Sequence, residues 1–395
     1  MNKRTFQVLA AISIASSATF AAKERVVRFQ NHVRVGYDDN IYNTNEKTGS
    51  GFITDIVNLS AKLNFSSRSD ALFYWQPEFQ FRFDADPESV VYQDLYAQLN
   101  HAISPRAFLT LSDRFRYQQK EGQTGAAGGG PSDFKQNYIE NDLMGALDYT
   151  LNDVSYMRLG GGYEFRTWDD SSYGSEGQNN DFTQLKANGS YIRQLIPNKT
   201  EGLLGVNYVD HEYEGSRGGF DSFGLFVGAD QNFTPDVTGF GRVGFSMNSV
   251  DGGSTGSSND STTPYLDAGL EVNATARTSV NASMGYSIYR AENTFYNAQD
   301  RFSIGFGARH DITAKINLAA SFSYIHSEYK ADYSAGYQPV GDAKDNYVTL
   351  ALRTSYQVNR NNFLEAGYLF KSRSATGGLN EYDGNRIDVA WRLRL

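Results

Sequence analysis

The chain contains no cysteine in 395 residues, so no disulfide framework can staple it. Proline is scarce, at 8. Past the first two dozen positions no apolar run approaches the roughly 18 residues that a membrane-crossing helix needs, and a helical membrane protein is thereby excluded. Basic charge is not in excess either. Lys and Arg number 36 against 45 Asp and Glu, a net charge of -9, whereas a nucleic-acid partner would want a basic face. A mean hydropathy of -0.51 suits a soluble protein. None of these absences excludes a membrane β-barrel, because its strands are apolar on one face only.

What is abundant is glycine, 38, with 26 Tyr and 26 Phe. The opening "MNKRTFQVLAAISIASSATFAA" sets Lys3 and Arg4 before a short apolar stretch and small residues. That is the layout of a secretory signal peptide, removed from the fold. Residues 1–22 are read as that signal, with cleavage after Ala18, Ala21 or Ala22 all compatible; the alternative is a buried N-terminal helix. Residues 23–395 are read as a single domain.

Period-two alternation runs along almost all of that domain. In "ALFYWQPEFQFRF", Phe73, Trp75, Pro77, Phe79, Phe81 and Phe83 share one parity, and Tyr74, Gln76, Glu78, Gln80 and Arg82 the other. "YLDAGLEVNA" and "NLAASFSYI" repeat the pattern. A period of two means strands with one apolar and one polar face. Two kinds of connection take turns between them. Short ones, such as "AISPRA", "LIPNKT" and "FTPDVT", carry turn residues. Mostly longer ones, such as "QKEGQTGAAGGGPSD" and "VDGGSTGSSNDSTT", are rich in Gly, Ser, Asp and Asn.

The expected fold is therefore an all-β, transmembrane, antiparallel up-and-down β-barrel of about 18 strands, with 16 as the fallback. Its short turns would be periplasmic and its long loops extracellular, in a bacterial outer membrane. A β-propeller has a similar repeat period but packs four short strands per blade. Here each period holds two strands of about ten residues or more, the length of a tilted bilayer crossing. The chain finishes on "NRIDVAWRLRL", with Ile387, Val389, Trp391, Leu393 and Leu395 on one face and Arg386, Asp388, Arg392 and Arg394 on the other. A last strand that pairs with the first explains such an end. It also resembles the C-terminal signal read by barrel-assembly machinery, although Leu395 stands where an aromatic residue is usual.

Aromatic residues sort to both ends of the strands, as interfacial girdles do. Tyr37, Tyr117, Tyr208 and Tyr286 lie toward the loops, and Phe65, Tyr149, Tyr191 and Tyr356 toward the turns. One hairpin departs from the pattern. Asp113 and Gln93 fall on the lipid parity, and a turn centred near Ile103 would set them opposite each other at the upper rim.

About eighteen strands leave an aqueous channel, and the inward parity should set its selectivity. The pore-lining candidates are Arg34, Arg82, Arg114, Arg116, Arg158, Arg166, Arg242, Arg309, Arg353, Arg392 and Arg394. With them come Glu78, Glu140, Asp142, Glu164, Asp267, Glu271 and Glu365. Arg386, Asp94 and Asp388 share that parity. A mixed, somewhat basic lumen favours anionic or polyhydroxylated solutes; alternatively the charges only pair across neighbouring strands. No catalytic set emerges. Among five histidines only His211 adjoins an acid, Asp210, and adjacent strand residues point to opposite faces. "YDDNIYN" at 37–43 and "VDGG" at 250–253 lack the ligand spacing of a calcium loop and read as solvated loops; no cofactor or metal is called for. Segments 118–137 and 326–345 are the candidates for an inward-folded constriction.

"VRVGYDDNIYNT", directly after the first strand, resembles the putative beta-barrel porin 2 family through Gly36, Tyr37, Asp38 and Asn40. The resemblance implies a bacterial outer-membrane barrel, with some members serving exopolysaccharide synthesis and export; it brings no catalytic residues. The expected function is a channel for small polar solutes or saccharides. The alternatives are a plugged structural or adhesive barrel whose loops bind a partner, and a soluble β-repeat protein.

Overall fold

The structure is a computed structural model that describes residues 27–85, 88–119, 137–168, 181–214, 218–251, 258–291, 296–331, 343–377 and 379–395. The expected signal segment lies outside these residues. Among the described residues eighteen strands are formed. The first six are β1 (Val27–Asp38), β2 (Ser50–Ser66), β3 (Ser69–Arg82), β4 (Ser89–Ala102), β5 (Ala107–Gln119) and β6 (Asn137–Asn152). Next come β7 (Ser155–Trp168), β8 (Phe182–Ile196), β9 (Thr200–Tyr213), β10 (Phe220–Thr234), β11 (Val237–Asp251) and β12 (Ser258–Thr275). The last are β13 (Thr278–Arg290), β14 (Tyr296–Asp311), β15 (Ile316–Ala331), β16 (Lys344–Gln357), β17 (Asn362–Ala375) and β18 (Tyr382–Arg394). Each strand pairs antiparallel with its sequence neighbours, and β1 pairs with β18 from Gln30↔Arg394 to Asp38↔Arg386. The sheet is therefore closed and has no edge to protect.

The alternation decides the faces. Val35 and Tyr37, then Phe73, Trp75, Phe79 and Phe81, and finally Ile387, Val389 and Trp391 all stand exposed on the outside. The residues between them point into the barrel. The apolar rows do not meet one another in a sealed core, as the rows of a propeller or sandwich would. All eight short connections lie at one end, where side chains hold the turns. Thr275 Oγ1 accepts from the Arg277 N–H at 3.1 Å, and Thr313 Oγ1 from that of Lys315 at 3.2 Å. Asn198 takes φ 58° in the turn before β9, a conformation Asn tolerates.

At the other end the segment after β1 is not a solvated loop. Asn40 is fully buried. Its Nδ2 donates to the carbonyls of Thr44, 2.7 Å, and Asp383, 2.8 Å, and its Oδ1 accepts from the Thr44 N–H at 3.1 Å. The Asp39 carboxylate accepts from Asn385 N at 2.6 Å and Nδ2 at 2.9 Å. These oxygens latch the top of β1 onto β18. The second calcium-like stretch, 250–253, lies partly outside the described residues. Truncating Asn40 to Ala removes three hydrogen bonds to partly buried backbone groups, each worth about 0.5–1.5 kcal/mol net. We expect N40A to fold, but to lose its heat-resistant barrel form at a clearly lower temperature in semi-native electrophoresis; an unchanged transition would sink the latch.

Two details depart from the sequence reading. The β4–β5 turn is centred on Pro105, since Ala102 pairs with Phe108. Asp113 therefore faces Ala97, and Gln93 faces Tyr117. The two polar residues are not opposed, and Asp113 lies four residues deeper than the rim row of Tyr117. The second departure is a split in the wall. The β12–β13 ladder stops at Leu266↔Tyr286, while β11–β12 continues to Asp251↔Ser258 and β13–β14 to Arg290↔Ala298. Pro264, two residues above the last rung, has no N–H to offer a neighbouring strand.

Candidate functional site

Freed from β12, the upper β13–β14 hairpin folds into the lumen. Ile288 and Ala298 sit on a parity that lower down faces outward, yet here they pack on Phe220 and Val250 of the inner wall. Thr263 Oγ1 of β12 donates to Asp300 of β14 at 3.1 Å. The upper end of β13 reaches further still. Arg290 Nη1 donates to Glu164 Oε1 on β7 at 2.8 Å, and its guanidinium lies 4.3 Å from the Phe182 ring centre on β8. Tyr213 of β9 donates its hydroxyl proton to the Ala291 carbonyl at 2.8 Å. On its other side Ala291 packs with Tyr329, Ala343 and Leu379. The hairpin thus spans the lumen near the long-loop end.

The expected constrictions lie largely outside the described residues, at 120–136 and 332–342. Tyr329 and Ala343, which flank the second, do touch Ala291 just above β13. Burial follows the same geometry. Arg82, Glu140, Arg166, His211, Arg301, Asp345 and Arg373 are buried toward the long-loop end, whereas inward residues nearer the turns, such as Arg158, Asp148 and Asn207, remain partly exposed. His211 is packed among the rings of Phe182, Tyr213 and Phe220, with centroids 4.5–5.3 Å away. Asp210 points to the opposite face, so the pair does not assemble.

The candidate lining residues fall into clusters. Glu140 accepts from Arg116 of β5 and from Arg166 of β7, the latter through Nε at 2.8 Å. Glu164 holds Lys186 at 2.5 Å besides Arg290, and Lys186 also lies 3.9 Å from Asp142. On the β16–β18 wall, Glu365 meets Arg392 at 2.7 Å, Arg353 at 3.4 Å and His32 at 3.3 Å. Asp388 meets Arg353 at 3.1 Å and Arg34 at 3.9 Å. Elsewhere the pairs are simpler. Arg114 grips Asp94 at 2.6 and 3.0 Å, Arg158 grips Asp148 at 2.7 and 3.1 Å, and Arg309 lies 3.5 Å from Asp311. Arg242 sits between Asp230 and Asp267, at 3.1 and 3.5 Å. Arg82 donates to Gln80 at 3.0 and 3.1 Å. Glu78 faces inward on β3; Glu271 and Arg394 are exposed nearer the turn end.

In the shared clusters the acid is tucked behind the cations. Glu140 is 0 % exposed against 25 % for Arg116, Glu164 7 % against 29 % for Lys186, and Glu365 7 % against 24 % for Arg353. Water in the lumen therefore meets guanidinium and ammonium before carboxylate on these walls. Around Arg242 the order is reversed, 14 % against 26 % for Asp230. Lys186, Lys371, Arg301 and Arg373 were absent from the sequence candidates, although the same alternation places them inside. Arg290 could not be found that way, because its parity is that of the lipid face.

Replacing Glu140 by Gln leaves the buried guanidinium of Arg166 and the partly exposed one of Arg116 against a neutral amide. Breaking a buried pair in this manner costs about 3–5 kcal/mol. Urea unfolding of E140Q from lipid vesicles is expected to shift to markedly lower denaturant; no shift would show that the cluster contributes nothing to stability.

Comparison with known proteins agrees with this architecture. Among solved structures, OccK2 (OpdF) of Pseudomonas aeruginosa in complex with glucuronate superposes with a TM-score of 0.51 at 11% identity, covering 93% of this chain and 98% of that one. OccK1 (OpdK) of the same organism gives 0.51 at 12%, covering 93% and 99%. At such identity the likeness speaks to the fold alone. No match was found among curated proteins. The model of the family described as putative beta-barrel porin 2 matches residues 26–395. A closed barrel whose apolar rows face outward and whose charged rows line the inside is what that match requires, and the chain belongs to the putative beta-barrel porin 2 family, barrels of the bacterial outer membrane.

Proposed function

We propose that this porin-type barrel conducts small anionic solutes, carboxylate-bearing or polyhydroxylated, past the inward-folded hairpin. The observation that carries the reading is the arrangement of cations in front of shared carboxylates at Glu140, Glu164 and Glu365. Fixed positive charge at a constriction raises the local concentration of anions. In this reading Arg34, Arg114, Arg116, Arg353 and Arg392 line the path. OccK2 was solved with glucuronate and OpdK with vanillate; both are carboxylates and serve as probes here. A part in exopolysaccharide export, implied by the family resemblance, would pass acidic saccharides along the same wall. Recognition of the last strand by assembly machinery would use the outward row Ile387, Val389 and Trp391.

Reversal potentials in planar bilayers under a potassium chloride gradient test the proposal. Anion preference is expected, weakened in R353Q; cation preference overturns it. The rival reading, a plugged barrel whose loops hold a partner, draws on the same hairpin. Folded protein that never conducts would favour the plug.

A further inference from the structure

Buried polar atoms without partners gather on the inner wall beside the β1–β18 seam. Arg34 of β1, Thr54 of β2, Glu78 of β3 and Arg386 and Asp388 of β18 all stand on the inward parity there. Thr54, the ladder partner of Arg34, is fully buried, and its Oγ1 has no hydrogen-bond partner. The Nε atoms of Arg34 and Arg386 are likewise buried and unbonded, as is Oδ2 of Asp388. Among the described residues, Glu78 and Arg386 make no hydrogen bond and no ion pair. Buried polar atoms are rarely left in this state, and each one calls for a physical reason.

Local geometry gathers these groups yet keeps them apart. Gly36 pairs with Phe52 on one side and Asp388 on the other. With no side chain at that position the Phe52 ring leans across β1; a Cβ on Gly36 would lie 2.6 Å from it. The Arg386 guanidinium rests on that ring, 4.0 Å from its centre. Arg34 and Thr54 form the next inward rung toward the turns, and Glu78 pairs with Ile56 on the rung after that. Arg34, Arg386 and Glu78 are within electrostatic reach of one another, but no two of them form an ion pair. Arg34 Nε stands 3.9 Å from Asp388 Oδ2, too far for a hydrogen bond. Arg34, Arg386 and Glu78 are each partly exposed to the lumen.

We propose that this part of the seam wall is a binding site for a polyhydroxylated carboxylate, a solute of the sugar-acid class. The solute's carboxylate takes N–H groups of Arg34 and Arg386 in charge-assisted hydrogen bonds. Its hydroxyls donate to Glu78, which as a carboxylate only accepts. A simple anion such as acetate meets the two cations but brings Glu78 nothing except like charge. A neutral sugar satisfies Glu78 and leaves the guanidinium groups without an anion. Neither arginine is anchored by a hydrogen bond to a carboxylate, so both can change rotamer and admit a hydroxyl to Thr54. The inference rests on the reading of an anion-conducting lumen and adds to it one preferred solute class and the place where that solute pauses.

Saturation-transfer NMR titration of the folded barrel in detergent measures binding without conduction. Glucuronate is expected to bind at least about tenfold more tightly than acetate or glucose, because only it uses both the donors and the acceptor. R386Q is expected to weaken glucuronate several-fold. E78L removes the acceptor together with its negative charge, and is expected to shrink the preference for glucuronate over acetate several-fold. The heat-modifiable band verifies that each variant folds; if R386Q does not, E78L decides alone. Equal affinity for the three solutes, undiminished glucuronate binding in folded R386Q, or an unchanged preference in E78L overturns the proposal. A barrel that prefers anions in planar bilayers but binds no glucuronate sinks the site and spares the conduction reading. Glucuronate binding by a cation-preferring barrel does the reverse.

Discussion

Replacing residues 287–299 by a short Gly-Ser turn is expected to raise single-channel conductance several-fold. The replacement removes the Arg290–Glu164 tie, the Tyr213 contact to Ala291 and the Ile288–Ala298 wedge in one step. Glu164 does not become an orphan, because Lys186 remains 2.5 Å away. The β12–β13 ladder below Tyr286 and the β14–β15 ladder below Asp300 are untouched, so the wall should fold. A barrel of about eighteen strands is wide enough to carry an aqueous channel once nothing fills it. Planar-bilayer recording on refolded protein gives the answer; unchanged conductance would place the narrowest point elsewhere. The point variant R290Q should lie between the two, since it cuts the tie and leaves the backbone wedge.

The second large effect is expected at the seam. A Cβ on Gly36 would lie 2.3 Å from the Ile387 carbonyl oxygen and 2.6 Å from the Phe52 ring. The first neighbour is backbone of the strand that closes the barrel, so it cannot step aside as a flexible side chain could. G36V should therefore prevent β1 and β18 from meeting at that level and abolish the heat-modifiable band; G36A should show a partial loss. G285A is the control, because its added Cβ would find only ordinary contacts, 3.4 Å to Ser303 Oγ and 3.6 Å to the Leu266 oxygen. Equal behaviour of G36V and G285A would disprove a steric role for Gly36. The Gly-Tyr-Asp-x-Asn stretch thus has a physical meaning. Its glycine admits β18, and Asn40 then latches the loop over the seam.

Much of the wall was legible in advance. Each strand's own pleat sends alternate residues to opposite faces, so Phe73, Trp75 and Phe79 could be set outside and Tyr74, Gln76 and Glu78 inside without knowing any neighbour. Turn residues between those runs then gave the strand number. The register was less secure. A turn centre misplaced from Pro105 to Ile103 moved Asp113 from a mid-strand position to the rim. The lining charges were found wherever a strand keeps both neighbours. Parity failed for Arg290, where β13 has left β12 and its lipid-parity face meets the inner wall.

The sequence alone settled the period, and with it the strands, their two faces, their number and the pairing of first with last, because alternation and turn chemistry are local. Tertiary structure decided what closes the lumen and which cations gather round which acid. Glu164 and Arg290 are separated by 126 positions, and no local pattern encodes their meeting. It arises because a closed cylinder brings distant strands across a common interior, and because one ladder ends near Pro264 and releases a hairpin into that space.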